Sequence, residues 1–131
     1  MTQLHRYLAR LYDTIKSRRE ITVDHLEIFD RSDKPGQSSE LYALLRFPDN
    51  SQLQIVEKLT LDNYIIIKSR YTYHYQAKDG TLIFRYDNAP HHQEIPTFPH
   101  HKHDGDRVIA SQPPDLGDVL REIDNLLYTG R

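Results

Sequence analysis

The 131-residue sequence contains no cysteine and no tryptophan. Without cysteine the chain can form no disulfide bond and can offer no thiolate to a metal ion, so any metal site must use histidine or carboxylate ligands. Disulfides are rare in reducing compartments, and a cysteine-free chain fits such a compartment. We therefore expect a cytoplasmic protein.

Long apolar runs are also missing from this sequence. No stretch approaches the roughly 20 apolar residues of a transmembrane helix, and residues 1–10 lack the apolar core of a secretory signal. Only 37% of the residues are apolar, which suffices for one core in a chain of this length. The sequence predicts a single domain over residues 1–131, with no membrane contact.

Motifs of several enzyme classes are absent as well. The chain has no glycine-rich phosphate-binding loop, no serine nucleophile elbow and no paired-carboxylate signature, so it gives no support to a kinase, hydrolase or dinucleotide-binding function. Its net charge of -2, with histidine neutral, provides no overall attraction to nucleic acid. Any contact with nucleic acid must therefore depend on a local cluster of positive charge.

Apolar residues recur at helical spacing at both ends of the chain. The N-terminal pattern predicts a helix over residues 3–19 with Thr2 as its N-cap and a basic exposed side, its apolar positions being Leu4, Tyr7, Leu8, Leu11 and Ile15. The C-terminal pattern predicts a helix over residues 115–128 with Asp115 as its N-cap, its apolar positions being Leu116, Val119, Leu120, Ile123, Leu126 and Leu127.

Between these helices the pattern changes to that of a sheet. From residue 21 to residue 87, short β-branched and aromatic runs alternate with turn-like stretches. We predict five strands in an antiparallel meander, with both helices packed on one curved sheet. The predicted fold class is therefore α+β.

The last predicted hairpin can be placed in register. Asp79-Gly80 suits a two-residue type I′ turn that pairs Lys78 with Thr81. Counting back along both strands gives an aromatic face with the pairs Tyr75–Phe84 and Tyr73–Tyr86. The opposite face is polar and basic, with the pairs His74–Arg85 and Thr72–Asp87, followed by Lys68 and Arg70.

Residues 88–114 have an unusual composition. Five of the eight histidines lie between His91 and His103, and five of the seven prolines lie between Pro90 and Pro114. Proline removes a strand hydrogen-bond donor, so we predict a long loop here. Long loops in compact domains are typically functional or disordered, and the histidine and aromatic content favours a function.

The histidines of this loop suggest phosphodiester chemistry. Imidazole exchanges protons near neutral pH, and Lys or Arg stabilises charge on a phosphate, so the pattern is consistent with metal-independent cleavage of RNA. The candidate catalytic residues are His91, His92, His100, His101, His103, Arg85 and Asp87. The candidate substrate-binding residues are Lys102, Asn88, His74, Arg70 and Phe98.

Three other interpretations of the same residues stay open. Histidine also binds zinc, but the spacing matches no zinc signature and adjacent histidines of an extended chain point apart, so we expect no metal and no other cofactor. The histidines can instead pin the loop through hydrogen bonds. Finally, the basic helix face and the loop can dock a protein or nucleic acid without chemistry.

Two strings, RYDNAPHH at residues 85–92 and IPTFPHHKH at residues 95–103, resemble the signature of the TumE family of small proteins. The specific part of this resemblance covers the C-terminal half of the chain. It implies the toxin of a type II toxin-antitoxin module, neutralised by an antitoxin protein. By the same resemblance the active or binding surface lies among Arg85, Asp87, Asn88, His91, His92, His100, His101 and His103.

Composition, pattern and resemblance together predict a growth-inhibiting toxin that acts on RNA through histidine acid-base cleavage. The expected partners are the antitoxin and RNA. The sequence leaves homo-oligomerisation open, and the non-enzymatic binding protein is the alternative function.

Overall fold

The computed structural model describes residues 3–129 of the chain. In chain order its elements are α1 (Gln3–Lys16), β1 (Thr22–Phe29), β2 (Ser39–Arg46), β3 (Gln52–Asp62), β4 (Ile65–Gln76), β5 (Leu82–Asp87), β6 (His101–Asp104), β7 (Arg107–Ala110) and α2 (Leu116–Tyr128). The predicted α+β class is confirmed.

The sheet is a seven-stranded meander in which each strand pairs antiparallel with the next one along the chain. The sequence analysis predicted five strands, and the first five do lie within residues 21–87. The other two, β6 and β7, form a hairpin inside the predicted loop 88–114, and Gly105 turns it in the left-handed region (φ 63°). The prolines of this segment predicted a loop, but β6 and β7 contain none of them, and histidines, not apolar residues, carry the alternation in β6.

Both helices bury the apolar stripes predicted for them. In α1 the buried residues are Leu4, Leu8, Leu11 and Ile15, and in α2 they are Leu116, Val119, Leu120 and Ile123. Asp115 caps α2: its side chain accepts from the Asp118 backbone N–H, and the Asp118 side chain accepts from the Asp115 N–H. The predicted N-cap Thr2 lies outside the described residues, and no helix within residues 3–129 is long and apolar enough to cross a membrane.

The two sides of the sheet have different chemistry because strand side chains alternate. The side beneath the helices carries the aromatic core of Tyr71, Tyr73, Tyr75 and Phe84, all buried. The other side, which neither helix covers and which we call the open face, carries the cross-strand pairs Thr72–Asp87 and His74–Arg85. The predicted pairing of these residues is confirmed.

The turn that sets this register differs from the prediction. Ala77, not Lys78, pairs with Thr81, its N–H donating to the Thr81 carbonyl at 2.8 Å, so the loop has three residues and ends on Gly80 at φ 91°. A type I turn followed by a left-handed glycine is the alternative to a type I′ turn in hairpins. The register then shifts by one residue between Tyr75 and Gln76, which restores the predicted pairs.

A second irregularity moves Lys68 to the helix side of the sheet. The pairing of β3 with β4 shifts between Lys58 and Leu59, so that Lys58 pairs with Arg70 and Leu59 pairs with Lys68. The extra residue, Ser69, reverses the alternation. The prediction that Lys68 shares the polar face with Arg70 was therefore wrong, and its ammonium instead donates to the Tyr73 hydroxyl at 2.6 Å.

Glu57 brings a carboxylate into the core beneath the helices. It is fully buried, and it accepts hydrogen bonds from the hydroxyls of Tyr7 at 2.8 Å and Tyr73 at 2.5 Å. Lys68 completes the network through Tyr73 and the Pro114 carbonyl. A buried charge is tolerated only when it is hydrogen-bonded or paired, and these contacts tie α1, β3, β4 and the segment before α2 together.

We expect the Tyr7–Glu57 contact to make the stability of the protein sensitive to alkaline pH. Burial and the Glu57 carboxylate raise the pKa of Tyr7 well above 10, whereas the unfolded chain ionises at its ordinary value. The contribution of Tyr7 is therefore fully present below pH ~10 and is lost as pH rises further. Tyr7→Phe should make the fall in unfolding free energy above pH ~10 shallower, by up to ~1.4 kcal/mol per pH unit.

Denaturant unfolding at a series of pH values measures this slope. Tyr12→Phe is the matched control because it removes an exposed hydroxyl from the same helix. Equal slopes for the wild-type protein and Tyr7→Phe would contradict the assignment.

Candidate functional site

The candidate site is built around Asp87 on the open face. Asp87 is the last residue of β5, and it pairs with Thr72 of β4 on one side and His101 of β6 on the other. Only 3% of its surface is exposed. A carboxylate this deeply buried requires compensating donors or charges, and its partners define the site.

Four groups surround the Asp87 carboxylate. Oδ2 accepts from Arg85 Nε at 2.9 Å, and Oδ1 accepts from the Ala89 backbone N–H at 2.9 Å. The Nε2 atoms of His101 and His103 lie 3.1 Å from Oδ1 and 3.7 Å from Oδ2, respectively. Burial by itself would raise the pKa of Asp87, but the Ala89 N–H and the Arg85 guanidinium, with His101, hold it below the usual range. Asp87 is therefore ionised at neutral pH.

A third histidine reaches the same place from the loop before β6. His92 has a left-handed backbone (φ 61°), and its ring centroid lies 5.2 Å from that of His101 and 5.8 Å from that of His103. The rings of His101 and His103, which are two residues apart on β6, are 5.0 Å apart. We call these three residues the histidine cluster. One ring nitrogen of each lies within 4.8 Å of one ring nitrogen of the other two.

The contacts of the cluster determine part of its protonation. His101 Nδ1 is 2.9 Å from the Pro99 carbonyl, which can only accept, so Nδ1 carries a proton and Nε2 faces Asp87. Desolvation lowers the pKa of His103 and outweighs the opposing effect of Asp87, while His101 and Arg85 lower it further. His103 is thus a neutral imidazole at neutral pH, with 27% of its side chain exposed.

Further along the open face, His74 and Arg70 continue the polar surface. Arg85 Nη1 lies 3.2 Å from His74 Nδ1, and because arginine only donates, this nitrogen accepts. The other ring nitrogen of His74 then donates to Gln76 Oε1 at 3.1 Å. Arg70 is exposed on the same face and lies across from Lys58 of β3, whose ammonium is 3.9 Å from the Glu40 carboxylate.

His100, a predicted catalytic residue, lies on the helix side of the sheet and outside the histidine cluster. Its ring stacks on Tyr71 at 5.8 Å and an interplanar angle of 12°, and its Nδ1 is 2.9 Å from the Tyr71 hydroxyl. It lines a cleft with Lys68 and the residues before α2. Burial and the nearby Lys68 lower the pKa of His100. The structure separates it from His101 because neighbouring residues of a strand point to opposite faces.

Four other predicted site residues also lie apart from the Asp87 contacts. Lys102 Nζ donates to Glu122 at 2.8 Å above the Tyr86 ring and so joins β6 to α2. Asn88 is buried, accepting from the Tyr71 N–H at 3.0 Å and donating to the Ser69 carbonyl at 2.9 Å. His91 and Phe98 are exposed in the loop.

Two backbone groups complete the site, and the sequence analysis missed both. They are the Ala89 N–H, which holds Asp87, and the Pro99 carbonyl, which orients His101. No residue type signals a backbone contact, so the side-chain pattern could not reveal them. The spacing of His101 and His103 was the available signal, since residues two apart share a strand face.

Comparison with known families gives a match over most of the chain. The family model described as Toxin TumE matches residues 9–127, which is most of the chain. No curated protein and no solved structure matches it. The match extends well beyond residues 85–103, which carried the resemblance in the sequence.

Asn88 lies within residues 85–103, and we expect its side chain to stabilise the fold and not to bind a substrate. Asn88→Ala removes an acceptor and a donor, leaving the buried Tyr71 N–H without its partner, and should lower the unfolding free energy by ~1–3 kcal/mol. Denaturant titration measures the loss, with the exposed loop variant Gln93→Ala as the matched control. A change below ~0.5 kcal/mol, typical of ordinary surface positions, would show that Asn88 does not hold the loop.

Proposed function

Because this chain belongs to the TumE toxin family, we propose that it is the toxin of a toxin-antitoxin pair and that it arrests growth by cleaving RNA at the histidine cluster. The family membership supports the toxin role and implies an antitoxin protein that neutralises it. The assignment of RNA as the target is supported by the chemistry of the open face.

The observation that carries the proposal is the ionised Asp87 among Arg85, His101 and His103 on a surface that no helix covers. Buried charge at the edge of a core costs stability, and clusters of perturbed titratable groups on an accessible surface are typical of functional sites. Most of the sheet's other buried side chains are apolar core residues beneath the helices. Of these four residues, Arg85 and His103 keep 37% and 27% of their side chains exposed, so a substrate can reach them.

Arg85 provides the phosphate-binding group. Its Nε is held by Asp87 and its Nη1 contacts His74, so the guanidinium plane is oriented, while 37% of the side chain stays exposed. An oriented guanidinium binds a phosphate through parallel N–H donors and stabilises charge that develops on its oxygens. Arg70, exposed two residues before Thr72 and on the same face of β4, extends this positive surface toward a neighbouring phosphate of the same RNA.

The histidine cluster provides the proton transfer. In RNA, the 2′-oxygen attacks phosphorus as its proton leaves, and the bond from phosphorus to the 5′-oxygen breaks as that oxygen gains a proton. The products are a 2′,3′-cyclic phosphate and a 5′-hydroxyl. A neutral imidazole at neutral pH, as at His103, accepts the first proton either directly or through a bound water. RNA, unlike DNA, supplies the 2′-hydroxyl that this reaction needs.

Expression of the chain alone tests the proposal. We expect growth arrest with fragmented RNA carrying cyclic phosphate ends, and His103→Ala should slow cleavage by roughly 10²–10⁴-fold and relieve the arrest. His25→Ala is the matched control, since His25 is an exposed histidine on β1, at the opposite edge of the sheet. Co-expression of the neighbouring gene should restore growth if it encodes the antitoxin.

Two results would count against RNA cleavage. Arrest with intact RNA would show a toxin with another target, and arrest that persists in soluble, folded His103→Ala protein would place the activity elsewhere. RNA that binds the purified protein without being cut would instead favour a non-enzymatic toxin that acts by docking.

A further inference from the structure

We propose that the histidine cluster binds one divalent first-row transition metal ion of the Zn²⁺ type through His92, His101 and His103. The spacing of the histidines matches no zinc signature, and adjacent histidines of an extended chain point apart, so no metal was predicted from the sequence. In the folded chain, however, the ligands are not adjacent histidines. His101 and His103 share a face of β6, and His92 approaches them from the preceding loop.

The distances suit a single ion. One nitrogen from each ring lies within 4.8 Å of the others, whereas nitrogen ligands ~2.1 Å from a tetrahedral zinc are ~3.4 Å apart. His92 and His103 are both partly exposed, so their rings have room to turn toward the position of the ion. His101 is buried and already oriented, so it supplies the fixed ligand.

The electrostatics of the cluster also favour a metal ion as its occupant. If more than one ring is protonated, positive charges lie on rings whose centroids are only 5.0–5.8 Å apart. If the rings are neutral, unshared electron pairs of their nitrogens lie close together. One cation satisfies all three nitrogens at once. The Arg85 guanidinium offsets the Asp87 charge, so the ion is held mainly by imidazole nitrogen. Such a ligand set selects zinc and its neighbours over Mg²⁺ or Ca²⁺, which prefer oxygen.

The groups behind the ligands match those of a metal site. Metal-binding histidines almost always donate their second ring N–H to a carbonyl or carboxylate, and His101 Nδ1 lies 2.9 Å from the Pro99 carbonyl. Asp87 Oδ1 lies 3.1 Å from His101 Nε2, the nitrogen that the Pro99 contact leaves for the ion, so Asp87 stands beside the metal position and not behind the ligands, and its own charge is compensated by Ala89 and Arg85. The left-handed backbone of His92, which is costly for a residue other than glycine, brings the third ring into place.

The role of the ion, unlike its binding, rests on the proposed function, which is cleavage of RNA. Three protein ligands leave the fourth position of a tetrahedral metal to water, and a zinc-bound water ionises near pH 7. Ionised to hydroxide, this ligand would take the proton of the 2′-hydroxyl of an RNA whose phosphate is bound by Arg85. In the metal-loaded protein the bound hydroxide would take the proton that His103 accepts in the metal-free protein, and His101 and His103 would hold the ion.

Metal binding can be measured without RNA, which separates this inference from the proposed function. The full chain is purified without a polyhistidine tag, stripped with a chelator and titrated with Zn²⁺ by calorimetry and with Co²⁺ by visible absorption. We expect one ion per chain and the intense bands of tetrahedral Co²⁺. His92→Ala and His103→Ala should each weaken binding by about tenfold or more, while His91→Ala, the adjacent loop histidine outside the cluster, should bind as wild type.

Circular dichroism and thermal melts establish that each variant is folded, and Zn²⁺ should raise the melting temperature of the wild type and His91→Ala but not of His92→Ala. Absence of one-to-one binding, or equal affinity in His91→Ala and His92→Ala, would overturn the metal site. If stripped protein held in chelator still cuts RNA, the proposed function stands and a part for the ion in the cleavage is excluded. If the ion binds but RNA stays intact, the metal site stands and the proposed function fails.

Discussion

The buried charge of Asp87 is the constraint on which the site depends. A carboxylate removed from water must be matched by donors or positive charge, and the Arg85 guanidinium and the Ala89 N–H meet this requirement, with the rings of His101 and His103 beside them. Satisfying Asp87 therefore fixes the end of β5, the first turn of the loop and the position of β6 together. The histidine cluster is a consequence of that arrangement, since the strand that approaches Asp87 carries His101 and His103.

Strand alternation keeps the site and the core apart. Tyr71, Tyr73 and Tyr75 face the helices while Thr72 and His74, the residues between them, face the open side, so a small sheet supports a hydrophobic core and a polar surface at once. The helix side carries its own buried carboxylate, Glu57, satisfied by tyrosine hydroxyls. The bulge at Ser69 links the two by moving Lys68 into that network and leaving Arg70 on the open face.

The histidine-rich segment of this chain divides between these roles. Within residues 100–103, alternate side chains point to opposite faces, so His101 and His103 join Asp87 while His100 and Lys102 contact Tyr71 and Glu122. A cluster of histidines in sequence is thus only partly a cluster in space. The proposed cleavage of RNA and the proposed metal ion concern only the side of β6 that faces solvent, and the other side holds the sheet to α2.

Local periodicity determined much of this protein from sequence alone. It was enough to predict the α+β class, both amphipathic helices, the first five strands and the facing pairs Tyr73–Tyr86 and His74–Arg85. Those features follow from the spacing of residues along one segment or two neighbouring segments. The tertiary structure decided which histidines meet, where Lys68 points and how Asp87 and Glu57 are satisfied. These depend on a bulge, a left-handed residue and backbone donors, and on contacts between segments far apart in the chain, none of which leaves a periodic signal in the residue types.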